Sequence, residues 1–284
     1  MKKTGSVVGL FLVLTMAGPS ARGQLCAELQ REILEIIVNE TDIRPEDTPG
    51  YALGLVVGDS TCFFGFGSAR KDSTLPLRPD HVFEIGGLTT LFSAALLRVL
   101  ETEGAMPLDS PLNAFLPPQW RNPETGALPL RRFLMHTTGL PRLPEGIGKT
   151  QRSDNDPFAD YPAERLGTWF AHWKPPETDP GYSYSHINYA LLELAVEHAT
   201  GRPFEDLMEE KLLRPLGLQD TGFDLRPEQA ARLLPGYDKA AQPTPPWHYR
   251  SFQGALGLKS TAADLLRFLQ ILMGVRPHPL TPLL

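Results

Sequence analysis

Residues 82–97 read VFEIGGLTTLFSAALL. From this stretch into the next turn, Leu88, Leu91, Phe92, Ala95, Leu96, Val99 and Leu100 recur at i, i+3, i+4, i+7, i+8, i+11 and i+12. That is the spacing of one helix face, and Ala94 and Leu97 add apolar area on a second. The spacing predicts a helix buried over most of its circumference. Gly86 and Gly87 precede it, and by itself Gly87 reads as a helix-start glycine.

N-terminal to this helix, YALGLVVGDSTCFFGFGSA (51–69) gives two apolar runs about Gly58-Asp59, the pattern of a β-hairpin. Before it, Leu25, Leu29, Ile33, Ile36 and Ile37 fall at helical spacing, predicting an amphipathic helix over 25–39. Helix followed by hairpin is the first half of a sheet with a helix packed on it. Earlier still, Lys2 and Lys3 precede the apolar run VVGLFLVLTMAG, which ends in SARG with Ala21 and Gly23 at small-residue positions. This reads as a signal peptide over 1–23, too short to span a bilayer comfortably, ahead of a domain over 24–284. Leu25 before Cys26 argues against a lipoprotein. The expected location is secreted or periplasmic, with no stable membrane span after cleavage. In that oxidising setting Cys26 and Cys62 allow one disulfide or two buried thiols.

The 284 residues are 42% hydrophobic and 21% charged, ordinary for a globular protein. The formal charge of −6 becomes −9 once Lys2, Lys3 and Arg22 are removed, which argues against a nucleic-acid partner. The C-terminal half is Pro-rich and carries short helical patterns: LPLRRFLMHTTGLPRLP (128–144), NYALLELAVEHATG (188–201), PFEDLMEEKLLRPLG (203–217) and STAADLLRFLQILMG (260–274). The last has Ser260 or Thr261 as N-cap and Gly274 as a stop. No internal repeat, heptad run or low-complexity tract occurs.

Six blocks in order, FEIGGLTTLFSAALL, LDSPLNAFLP, LMHTTGLPRLP, PGYSYSHINYALLELAVEHATGRPFEDL, LLRPLGLQDT and GLKSTAADLLRFLQ, resemble the penicillin-recognising serine hydrolases. These are the class C beta-lactamases, the D-alanyl-D-alanine carboxypeptidases and other penicillin-binding-protein-like or esterase-like relatives. The likeness covers about residues 28–284. It implies an α/β (α+β) beta-lactamase/transpeptidase-like fold: an antiparallel sheet with flanking helices plus a helical lobe.

In that family the buried helix begins with Ser-x-x-Lys. Residues i and i+3 share a helix face, so the lysine can help remove the serine proton where the helix dipole favours developing negative charge. Here Gly87 stands at the serine position and Thr90 at the lysine position. Glycine has nothing to acylate, and threonine is neutral throughout the accessible pH range. The second motif, Tyr-x-Asn, is represented by Tyr184 with His186 in place of Asn, which reads as a remnant. A third, a basic residue before Thr-Gly on a late strand, is not met between the STAADLLRFLQ helix and Leu284. The resemblance is therefore to a degenerate, C-terminally truncated member with late sheet strands missing, a hairpin edge unpaired and part of the buried helix uncovered.

The function implied is that of a secreted, catalytically inactive homologue with no cofactor or metal, which binds a peptidoglycan-like peptide or another protein. Two alternatives stand beside it. One is an active serine-type hydrolase (carboxypeptidase, beta-lactamase or esterase) using Thr89, Thr90, Ser183 or Ser185. The other is a non-functional fragment of a longer chain. The remaining signals are weaker: HTTG at 136–139 belongs to a structural loop block, and EGIGKT at 145–150 has Leu143 where a phosphate loop needs its first glycine. QPTPPWHYR (242–250) reads as a Pro-rich loop over the site, and His172 with His186 lacks metal-site spacing.

Overall fold

The structure, a computed structural model, describes residues 19–41, 48–147, 156–178, 181–238 and 240–284. Most of the expected signal peptide lies outside them. Helix α1 (Pro19–Glu40) opens the described chain six residues earlier than the apolar spacing predicts. Its Cys26, Leu29, Ile33 and Ile37 pack against Cys62, Phe64 and Phe66 of a hairpin, a cluster separate from the main core. Cys26 and Cys62 are joined by a disulfide, with Cα atoms 5.7 Å apart.

The hairpin pairs β1 (Gly50–Val57) with β2 (Ser60–Gly67), in register from Gly50 opposite Gly67 to Val57 opposite Ser60. Gly58 adopts φ +59° at the first loop position, where a two-residue type II′ turn favours glycine. Period-2 alternation then turns Cys62, Phe64 and Phe66 toward α1. The opposite face receives helix α10 (Ala262–Leu272): a Cβ on Gly54 would lie 2.9 Å from Leu266. The hairpin thus sits between two helices, and among the described residues its strands pair only with each other.

A second small sheet places the site. β3 (Val82–Glu84) runs antiparallel to β6 (Lys259–Thr261) and leads through a 3₁₀ turn, Gly86–Leu88, into α2 (Thr89–Thr102). Phe92, Ala95, Leu96, Leu97, Val99 and Leu100 are buried as the spacing predicts. Leu88 and Leu91, expected on the same face, are instead 48% and 52% exposed. The reason is tertiary: Phe92 stacks on Phe268 of α10 at 4.3 Å, and the packing that buries it also buries Thr89 and Ser93, leaving the side of Leu88 and Leu91 open.

Behind α2 lies α5 (His186–Thr200), buried from His186 to Val196. Ser93 Oγ donates to the Gly254 carbonyl (2.6 Å), and the Gly254 N–H donates to Glu193 (2.8 Å), tying α2 and α5 to α9 (Gln253–Leu256). Burial pushes the Glu193 carboxyl well above its ordinary value. The rest of the helical lobe is α3 (Leu130–Leu134), α4 (Ala163–His172), and α6 (Phe204–Met208), which continues through a π-turn, Glu209–Leu213, into α7 (Arg214–Leu216). Helix α8 (Pro227–Ala230) and a short hairpin of β4 (Gly236–Tyr237) with β5 (Pro243–Thr244) follow. Thr261, not Ser260, caps α10, its hydroxyl accepting the Asp264 N–H at 3.1 Å.

Candidate active site

Two segments meet the start of α2. The chain from Ser183 to His186 is laid along the loop 136–142 by four hydrogen bonds. Ser183 N–H donates to the His136 carbonyl (2.8 Å), Ser185 N–H to His136 Nδ1 (3.2 Å), Ser185 Oγ to the Pro141 carbonyl (2.7 Å), and His186 N–H to the Arg142 carbonyl (3.1 Å). His136 sits at φ +55°, a left-handed conformation rare for a residue with a side chain, and these bonds hold it there. Because Nδ1 accepts from Ser185, a neutral His136 carries its proton on Nε2. Burial holds the imidazole below its ordinary pKa.

Tyr184 projects from this scaffold to the position opposite α2. Its ring lies 4.4 Å from that of His136 and edge-on to His186 at 5.1 Å, with the Arg142 guanidinium 5.9 Å from its centroid. A Cβ built on Gly87 would lie 2.7 Å from Tyr184 Oη, so the phenol fills the space a side chain at 87 would need. Thr90 Oγ1 gives its own proton to the Gly87 carbonyl (2.8 Å), and the Tyr184 phenol lies beside it. Burial raises the phenol pKa, against the opposing effects of the Thr90 hydroxyl and the Arg142 charge.

His186 is buried, and among the described residues its Nδ1 has no hydrogen-bond partner. Burial chiefly, with help from Arg142 and His136, pushes its pKa down to about 4. A base with a lowered folded pKa favours the fold at high pH. Its contribution is present above the ordinary value near 6.5 and is lost as pH falls through about 4. The shift is worth about 3 kcal/mol. His186→Asn is therefore expected to resist acid better than the parent. Urea melts at pH 7 and pH 4 should show a stability difference between the two proteins that grows by about that amount on acidification. Parallel curves would show that His186 has the same pKa folded and unfolded.

The four candidate replacement hydroxyls are differently placed. Thr89 is buried and accepts the Leu258 N–H (3.2 Å), Thr90 is committed as above, and Ser185 is buried on Pro141. Ser183 is exposed, and its backbone rather than its hydroxyl meets His136. The Pro-rich 242–250 loop is anchored beside the site: Trp247 N–H donates to Glu84, three residues before Gly87, and His248 pairs with Asp156 at 2.7 Å. His136 and Arg142 are the residues that sequence reasoning passed over. Their signal was the block LMHTTGLPRLP, read there as a loop with a structural role. Among the described residues no cluster of three or more His, Cys, Asp or Glu side chains could hold a metal ion.

Comparison with known proteins places the fold. The chain is 29% identical over 225 residues to the D-alanyl-D-alanine-carboxypeptidase/endopeptidase AmpH of Escherichia coli (strain K12), covering 78% of this chain and 56% of that protein. It is 29% identical over 258 residues to a beta-lactamase of Pseudomonas fluorescens (88% and 65%). Among solved structures, a class C beta lactamase from Rhodobacter sphaeroides superposes with a TM-score of 0.74 at 28% identity, covering 91% of this chain and 68% of that one. The chain thus spans between half and two thirds of the length of these curated relatives. The family described as Beta-lactamase matches residues 39–281. A match over that much of the sequence, on a fold that superposes with a solved class C enzyme, means that the chain belongs to the beta-lactamase family.

Proposed function

We propose that this chain is a catalytically silent, exported member of the beta-lactamase family, and that its altered cleft serves recognition. The observation that carries the reading is the place of Tyr184: its hydroxyl occupies the volume that a nucleophile at 87 would fill, and it lies beside Thr90 where the family has lysine. The ligand is a peptide of the peptidoglycan type or a protein segment. Arg142 beside the cleft suits a carboxylate on either. Among the described residues no helix is long and apolar enough to cross a membrane. The N-terminal charge and apolar pattern support export to the periplasm or beyond.

The test is covalent labelling. A fluorescent penicillin should leave no adduct on the folded protein, and a chromogenic cephalosporin should turn over no faster than with a denatured control. Losing the nucleophile of a serine hydrolase costs on the order of a millionfold in kcat. An adduct mapped by peptide mass to Ser183, Thr89 or any other hydroxyl would replace this reading with that of an active hydrolase.

A further inference from the structure

Two adjoining cavities lie apart from the cleft, sharing Pro235 and Tyr237 as a common wall. The first, about 290 Å³, is bordered by Arg70, Lys71 and Asp72 and by the β4–β5 hairpin; the second, about 280 Å³, is lined on its apolar side by Leu77, Phe83 and Leu234. Neither is lined by any of residues 85–90, 136, 142, 184 or 186.

The polar chamber is held in shape by the hairpin. Asp238 Oδ1 accepts the N–H groups of Ala240 and Gln242 (2.9 Å each), and Ala241 is held at φ +56°. The Ala241 carbonyl accepts Lys71 Nζ at 3.3 Å, anchoring the ammonium at the chamber wall with two of its three protons still available. Tyr237 Oη accepts the Lys71 backbone N–H (3.0 Å), which leaves the phenol proton free to donate. Arg70 is exposed in the lining of the same chamber. Against these two cations stands the single carboxylate of Asp72, so the chamber carries a net positive charge in a chain that is acidic as a whole.

Cationic donors at one cavity and apolar side chains in its neighbour, on the two sides of Pro235 and Tyr237, match a ligand with one anionic head and a short apolar tail. We propose that the paired cavities bind an amphipathic monocarboxylate. The head is received by Arg70, Lys71 and the Tyr237 hydroxyl, and an aliphatic tail passes Pro235 to lie among Leu77, Phe83 and Leu234. Charge-assisted bonds to the carboxylate set the orientation, and burial of the tail adds affinity with each methylene.

Sodium octanoate, kept below its micelle concentration, is the probe. Titration followed by calorimetry and by 13C NMR of the labelled carboxylate should show one saturable site, with octanoate tighter than hexanoate and octanol at least about tenfold weaker. R70Q/K71Q changes two exposed side chains and should keep the parent's circular dichroism while weakening octanoate by about tenfold or more. Absence of saturable binding up to roughly 10 mM would overturn the proposal. So would octanoate affinity unchanged in R70Q/K71Q, or octanol binding as tightly as octanoate. Labelling by penicillin does not enter either arm, so this test and that of the cleft succeed or fail separately.

Discussion

The double variant Gly87→Ser, Thr90→Lys is expected to form no penicillin adduct, although it restores the family's Ser-x-x-Lys spacing. Space is the first obstacle. The added Cβ meets Tyr184 Oη at 2.7 Å, closer than Cβ atoms come to any neighbour, so the phenol must leave the position where it packs on the His136 ring. Charge is the second. Position 90 is buried, and the nearby ionisable groups are the Arg142 guanidinium and the His136 and His186 imidazoles, none of which compensates an ammonium. The substrate's own contacts are the third. His186 replaces the amide that holds the substrate in the resembling enzymes. An intact cleft given back its dyad should recover several of the six or so decades that the nucleophile contributes; we expect none of them. The variant should also be less stable than the parent by about 1–3 kcal/mol, from overpacking at 87 and the buried charge at 90. Burst labelling of a folded double variant would show that Tyr184 yields easily and that the remaining walls of the cleft suffice.

The parts of the fold that depend on local pattern could be read before any coordinates. The helical spacing through Leu96 and Leu100, the turn glycine at 58 and the cap at Thr261 each act within a few residues, and each is found where the pattern puts it. The parts that depend on what packs against what could not. Leu88 and Leu91 satisfy the helical period as well as Phe92 does, yet only Phe92 faces α10. His136 lies 48 residues before Tyr184 and is brought to it by backbone bonds from Ser183 and Ser185, for which single residues carry no signature. The vacancy at Gly87 was plain from the motif. That a tyrosine 97 residues later fills it is a fact of tertiary geometry alone.

Removal of the disulfide should unfasten one lobe and spare the other. Cys26 and Cys62 lie 36 residues apart, and closing a loop of that length is worth about 4 kcal/mol in the chain-entropy picture. Helix α1 has little else, whereas the hairpin also packs on α10. The apolar contacts of α1 are with the hairpin, through Leu29, Ile33 and Ile37 on Phe64 and Phe66, in a cluster separate from the main core. The main core, by contrast, is built on α2, α5 and α9 and contains neither cysteine. Cys62→Ser, with Cys26→Ser to avoid a stray thiol, is therefore expected to shift protection unevenly. Amide exchange over residues 24–40 should quicken by about three decades, which is about 4 kcal/mol read as local opening, and over 50–67, which α10 also covers, by less. Exchange in α2 and α5 should change by less than about threefold. Equal acceleration in both regions would mean that the hairpin and the core unfold as one unit. Unchanged exchange in α1 would mean that its apolar face alone, packed on Phe64 and Phe66, is enough to hold it.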